Sequence, residues 1–186
     1  MIIDNLLTKS HFSLVQNVIT SESFQWTHIF NTSGTTWENT DDWSDSFAHV
    51  IFQHINFANQ NLEHTTMGVY QIVVIPLLIA LDKQGLELDT LYRIRAGMLT
   101  KKPHRVIHAK HVDQEKPSLS NLQTGLFYLN DSDGPTHIYD NNDKVIEKID
   151  PVANRWYDMS NDTLHASSTP VENQVRYVIN YNYSIK

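Results

Sequence analysis

From Leu88 to the C-terminus the chain is a succession of short β-like runs broken by turn clusters, and nothing else in it restricts the fold so much. The runs cover 90–99, 105–110, 122–129, 136–139, 144–149, 155–159 and 175–183. Between them stand Asn130-Asp131-Ser132-Asp133-Gly134-Pro135, Asp140-Asn141-Asn142-Asp143 and Ser160-Asn161-Asp162, whose side chains favour turns over regular ladders. The last run alternates. Val175, Tyr177, Ile179 and Tyr181 point to one face, and Arg176, Val178, Asn180 and Asn182 to the other. Seven strands at such regular spacing predict a sandwich or jelly roll, not a βαβ sheet.

The first half reads as helical. Trp43, Phe47, Val50, Ile51, His54, Ile55, Ala58 and Leu62 recur at helical spacing, with Asp41 or Asp42 placed to cap the start. A second helix is predicted from Gly68 to Lys83, ended by Gln84-Gly85 and bent at Pro76. Helices first and strands later make an α+β, mainly β fold. The expectation is a single domain over 1–186, with 1–88 a mostly helical support and 89–186 a jelly-roll core. Trp26, Trp37 and Trp43 belong with that support or with a lid, since Asn31–Thr36 reads as a flexible loop.

Composition removes several classes of function. With no cysteine there is no disulfide framework, thiolate metal site or cysteine nucleophile. The net charge is −7 and no basic face dominates, which argues against a nucleic-acid partner, although half of all Lys and Arg fall between Arg93 and Lys116. The N-terminus lacks the basic and long apolar stretches of a signal peptide. The most apolar run, Ile72 to Leu81, is too short to span a bilayer. A cytoplasmic protein with no membrane partner is the expectation. There is no Gly-rich phosphate loop and no Gly-x-Ser-x-Gly motif.

The chemistry is concentrated in His111-Val112-Asp113 and the distant His165. On a strand, residues i and i+2 share a face, so His111 and Asp113 can converge on one ion. Two imidazoles and one carboxylate on one face of an octahedron are the donor set of non-haem iron(II). Taken alone, the triplet is equally a surface His beside a solvated Asp. His137 competes as third ligand. His104 and His108 read as rim or solvated residues, either of which could touch substrate, and His11, His28, His49, His54 and His64 as surface or satisfied core residues. Lys101, Lys102, Arg105, Lys110 and Lys116 read as a solvated loop, or as a patch drawing an anionic substrate to the mouth of the site. Arg93 and Arg95 share one strand face, which reaches solvent or that mouth.

Residues 90–183 resemble the 2-oxoglutarate/Fe(II)-dependent dioxygenase superfamily, particularly its small prolyl-hydroxylase-like members. The resemblance rests on His111-Val112-Asp113, the stretch Thr124 to Asn130, Asp133-Gly134-Pro135-Thr136, Asn154-Arg155, Leu164-His165-Ala166 and Arg176-Tyr177-Val178-Ile179-Asn180. It implies a double-stranded β-helix in which His111, Asp113 and His165 ligate Fe(II). It implies that Arg176 pairs with the 5-carboxylate of 2-oxoglutarate and that Tyr128 donates to the same group. The implied reaction uses O2 to hydroxylate a substrate, releasing succinate and CO2, with ascorbate as an optional auxiliary. The substrate is a protein side chain such as proline, or a small metabolite; neither it nor the oligomeric state can be read from the chain. One departure stands out: Lys101-Lys102-Pro103-His104-Arg105 occupies the region where relatives carry a Tyr before His-x-Asp. Two other readings remain at this point: a non-catalytic β-helix protein that binds a ligand or partner, and a cupin-like metalloenzyme without 2-oxoglutarate.

Overall fold

The strand Val175–Ile185 is the axis of the molecule, and its alternation is the one its sequence shows. Ile179, Tyr181 and Tyr183 are fully buried against helices on one side, while Arg176, Val178 and Asn180 face a cleft on the other. The computed structural model describes residues 1–30, 45–54, 64–65, 67–113 and 121–186. In chain order its elements are β1 (Ile2–Ile3), α1 (Lys9–Thr20), β2 (Thr27–Ile29), β3 (Ser46–Gln53), β4 (His64–Thr65), α2 (Met67–Val73), α3 (Ile75–Gln84), β5 (Leu88–Thr100), β6 (Leu122–Tyr128), β7 (Thr136–Tyr139), β8 (Val145–Ile149), β9 (Arg155–Ser160), β10 (His165–Ser167) and β11 (Val175–Ile185).

Two antiparallel sheets form a double-stranded β-helix. The larger runs β1-β9-β6-β11-β5-β3-β2, with β4 also paired to β3, and the smaller runs β10-β7-β8. Between the sheets, Leu126, Tyr128, Ile138, Ile149, Tyr157 and Met159 pack with Val178. On the outer face of the larger sheet, Val15 and Ile19 of α1 and Leu77, Ala80 and Leu81 of α3 cover Ile94, Ala96, Phe127, Trp156 and Ile179. Each fully buried aliphatic or aromatic side chain contributes about 1.5–3 kcal/mol, so this helical layer stabilises the sheet that carries the site. None of the helices among the described residues is long and apolar enough to cross a membrane.

The second predicted helix is present as α2 and α3, interrupted at Val74, with Pro76 in the first turn of α3. Pro is tolerated there because its missing N–H would lack a helical partner anyway. Gly85 closes α3 at φ 67°, a left-handed position that suits glycine.

Among the described residues the first predicted helix is not there. Ser46–Gln53 is β3, paired with β5, and 55–63 together with Trp43, Asp41 and Asp42 lie outside the described residues. A bulge between Val50 and Phe52 is the physical reason for the misreading. It moves the buried positions from Ser46 and Ala48 to Ile51, a step of three that imitates a helical face. Among the described residues the support over 1–88 is therefore shared between three helices and sheet strands. Sequence reasoning also passed over α1, although Thr8 caps it by accepting from the His11 N–H and Phe12, Val15 and Ile19 have helical spacing. The run 105–110 is not a strand either. It follows β10 through two isolated bridges, Ile107 to Ser168 and His111 to His165, with a slip of register between them. The loop Asn31–Thr36, Trp37 and Lys116 lie outside the described residues.

Candidate metal centre and cleft

His111 and His165 are brought together by backbone pairing before any metal is considered. Each donates its N–H to the carbonyl of the other, at 3.0 Å in both directions. That bridge sets their rings side by side, tilted by 50° with centroids 4.6 Å apart. Asp113, two residues on, lies on the same side. One donor atom from each of His111, Asp113 and His165 falls within 4.8 Å of the others, a grouping that can hold a metal ion.

The ring orientations suit that grouping. His111 Nδ1 lies 3.1 Å from the Ala109 carbonyl and His165 Nδ1 lies 2.9 Å from the Thr163 carbonyl. A carbonyl only accepts, so Nδ1 carries the proton in both rings and Nε2 is left with a free lone pair. His111 Nε2 faces Asp113 Oδ1 at 4.0 Å.

Asp113 is oriented by a larger set of partners. Its Oδ2 accepts from the Thr124 hydroxyl at 3.0 Å, the Asn180 amide at 2.8 Å and the Asn182 amide at 3.1 Å. Oδ1 has Arg93 Nη2 at 3.5 Å. Burial alone would raise the Asp113 pKa, but the Arg93 guanidinium and the hydrogen bond from the Asn180 amide act against it and hold the carboxyl below its usual range. Burial pushes His165 down against the pull of Asp113, which keeps its imidazole neutral. An ionised Asp113 and a neutral His165 are the forms of these side chains that can bind a metal.

Arg176 stands at the other end of the same cleft and is 2% exposed. Its Nη2 donates to Thr136 Oγ1 at 2.8 Å, and its guanidinium lies 5.4 Å from the centre of the Tyr128 ring. The Tyr128 hydroxyl shares Thr136, at 2.8 Å. Arg176 Nε is buried without a hydrogen-bond partner, and no carboxylate among the described residues pairs with this guanidinium. Burial lowers its pKa, with Tyr128 acting against the shift. A buried cation left with neutral partners is costly unless an anion completes it. Leu99, Leu126 and Val178 form apolar wall between the two ends.

Several residues differ from their sequence reading. His108 is buried rather than on the rim: Nδ1 meets Ser167 Oγ at 2.9 Å and Nε2 has no partner. Burial, aided by Arg176, takes its pKa down to about 4. His137 pairs in register with Ala166, and Thr136 beside it, not His137, lines the cleft; it is not one of the metal-binding group. Lys102, Arg105 and Lys110 are held by Asp45, Asp133 and Asp143 at 2.6, 2.6 and 2.7 Å. Sequence reasoning missed Thr124, Asn180 and Asn182 as partners of Asp113. The alternation of β11 placed both amides on the Arg176 face, and that was the signal available.

No family model matches the chain, and no curated protein does. Solved structures match its fold. An oxidoreductase of the 2OG-Fe(II) oxygenase family from Burkholderia pseudomallei superimposes with a TM-score of 0.69 at 12% identity, covering 99% of this chain and 84% of that one. A prolyl hydroxylase from Trichoplax adhaerens, in complex with a hypoxia inducible factor oxygen degradation domain peptide fragment, gives 0.64 at 16% identity, covering 99% and 82%. A prolyl-4-hydroxylase from Pseudomonas putida gives 0.59 at 10%, covering 100% and 92%. The chain thus shares the fold of 2OG-Fe(II) oxygenases, prolyl hydroxylases among them, over nearly its whole length.

Proposed function

We propose that this chain is an Fe(II)- and 2-oxoglutarate-dependent dioxygenase that hydroxylates its substrate. The observation that carries this reading is the pinning of both histidine Nδ1 atoms by backbone carbonyls, which leaves both Nε2 lone pairs free in a group whose donor atoms, with Asp113, lie within 4.8 Å of one another. Iron and 2-oxoglutarate together would supply O2 activation, with succinate and CO2 released.

The remaining work belongs to the chain. His111, Asp113 and His165 hold the metal and leave three positions open. Thr124, Asn180 and Asn182 fix the Asp113 carboxylate so that Oδ1 stays available. Arg176 receives the far carboxylate of 2-oxoglutarate, with Thr136 and Tyr128 orienting the guanidinium. Its orphaned Nε supports this role, because a carboxylate satisfies a guanidinium by two parallel hydrogen bonds. Leu99, Leu126 and Val178 exclude water from the space between, which strengthens each of these contacts. The buried Arg176 favours this reading over a cupin-like site, which needs no cation at that depth.

The test is product formation. Protein loaded with Fe(II) and supplied with 2-oxoglutarate and O2 is expected to form succinate slowly even without substrate. His165→Ala is expected to abolish it. Succinate formation that persists in His165→Ala, or that needs no O2, would overturn the proposal.

A further inference from the structure

The chain has five arginines, and four of them are engaged. Arg93 holds Asn182 and Asp113, Arg105 holds Asp133, Arg155 holds Asp4, and Arg176 holds Thr136. Arg95 lines the cleft and makes no hydrogen bond or ion pair with any described residue. It sits on β5 opposite Asn180, the amide that holds Asp113, whereas Arg176 sits opposite Leu99. The two rows are four residue steps apart on β5, about 13 Å at 3.3 Å per step. Gly97 lies between them on β5 and leaves the middle of the cleft open.

We infer that Arg95 anchors the substrate, which is an organic acid: its carboxylate or phosphate group pairs with Arg95 and brings a neighbouring C–H bond to the metal. This rests on the dioxygenase reading above and names the class of molecule that reading leaves open. Three considerations lead there. A five-carbon diacid has carboxyl carbons only about 5 Å apart. With one end on Arg176 and the other on the metal, it leaves Arg95 for something else. A half-buried guanidinium with no direct ion pair, the carboxylate nearest in effect being Asp113 already paired with Arg93, is held at a cost that an incoming oxyanion removes. Its planar fork matches a carboxylate or a phosphate in a bidentate manner. The lysines and arginine of the 101–110 run do not compete for the role, because Asp45, Asp133 and Asp143 already hold three of them and the Glu172 carbonyl accepts from Lys101. Burial and the neighbouring Arg93 lower the Arg95 pKa while Asp113 opposes them, so the group remains cationic beside the metal carboxylate.

The experiment titrates inorganic phosphate and acetate into the anaerobic protein holding Fe(II) and saturating 2-oxoglutarate, read by calorimetry and by the visible charge-transfer band. At least one probe is expected to bind in the millimolar range and shift the band. Arg95→Met is expected to weaken it tenfold or more, and Arg95→Lys to restore part of the loss. The tighter probe tells a phosphate-bearing from a carboxylate-bearing substrate. Neither probe binding, or equal binding in Arg95→Met, overturns the inference. So does a tenfold rise in the 2-oxoglutarate requirement of Arg95→Met, which would put Arg95 in the cosubstrate site. If the wild-type protein binds no iron or 2-oxoglutarate, the dioxygenase reading has failed. Calorimetry of the probes with metal-free protein then still decides the role of Arg95.

Discussion

Asn180 donates its side-chain amide to Asp113 across 2.8 Å, from a strand 67 residues further along the chain. Asn182, on the same face of the same strand, donates to the same oxygen at 3.1 Å. Between them they turn an otherwise freely rotating carboxylate into a fixed donor. Asn180→Leu should therefore weaken metal binding 10–100-fold with the fold intact, measured by competition with a chelator. Unchanged affinity would show that Asp113 needs no such support.

Thr124 contributes to the same arrangement from β6. Thr124→Val keeps the shape and removes the hydroxyl, which also leaves Asn182 short of an acceptor. The expected cost is about 1–3 kcal/mol of stability, with about tenfold weaker metal binding. Denaturant unfolding and a chelator titration check the two parts separately.

The convergence of His111, Asp113 and His165 was legible in the sequence from the His-x-Asp triplet and the turn before the second histidine, although the triplet sits on an isolated bridge and not on a strand. Arg176 and the β11 alternation were legible from a strand's period of two. The support of Asp113 was not. An asparagine that bonds a carboxylate leaves no spacing rule, and its partner is fixed only when β6, β11 and β5 lie side by side. The burial of His108 was equally hidden, since it depends on an irregular pairing with Ser167 that no periodicity announces. At β3 a local signal misled, because a bulge gave a strand the step of a helix.

Gly125 is required by close packing. A Cβ there would run into the Trp156 ring, which is wholly buried under the helices. Gly125→Ala should destabilise the protein by about 1–3 kcal/mol or more, since the ring must move within a filled core. A change below 0.5 kcal/mol in chemical denaturation would mean that the layer yields easily.

His108 gives stability a particular pH dependence. Its pKa is about 4 in the folded protein against about 6.5 when unfolded, chiefly through burial. The folded state favours the neutral ring, so this contribution is complete above pH 6.5 and is lost as pH falls toward 4. That difference corresponds to about 3 kcal/mol. His137 and His165 are shifted in the same direction, chiefly through burial. His108→Gln should thus reduce, not abolish, the acid slope, by about one proton. Parallel stability curves for the two proteins would contradict it.

Arg176 separates charge from shape. Arg176→Met should raise the 2-oxoglutarate concentration at half-saturation about 100-fold, given about 1.5–3 kcal/mol for each charged hydrogen bond. Arg176→Lys should recover part of this, because it keeps the charge without the fork. Equal affinity in all three proteins would remove Arg176 from the cosubstrate site.

The most direct test of the account is an anaerobic titration of the metal-free protein with Fe(II) and then 2-oxoglutarate. A weak visible charge-transfer band should appear only when both are present and should be lost in His111→Ala. Iron binding without the band, or a band that survives in His111→Ala, would contradict the assignment of this cleft to iron and 2-oxoglutarate.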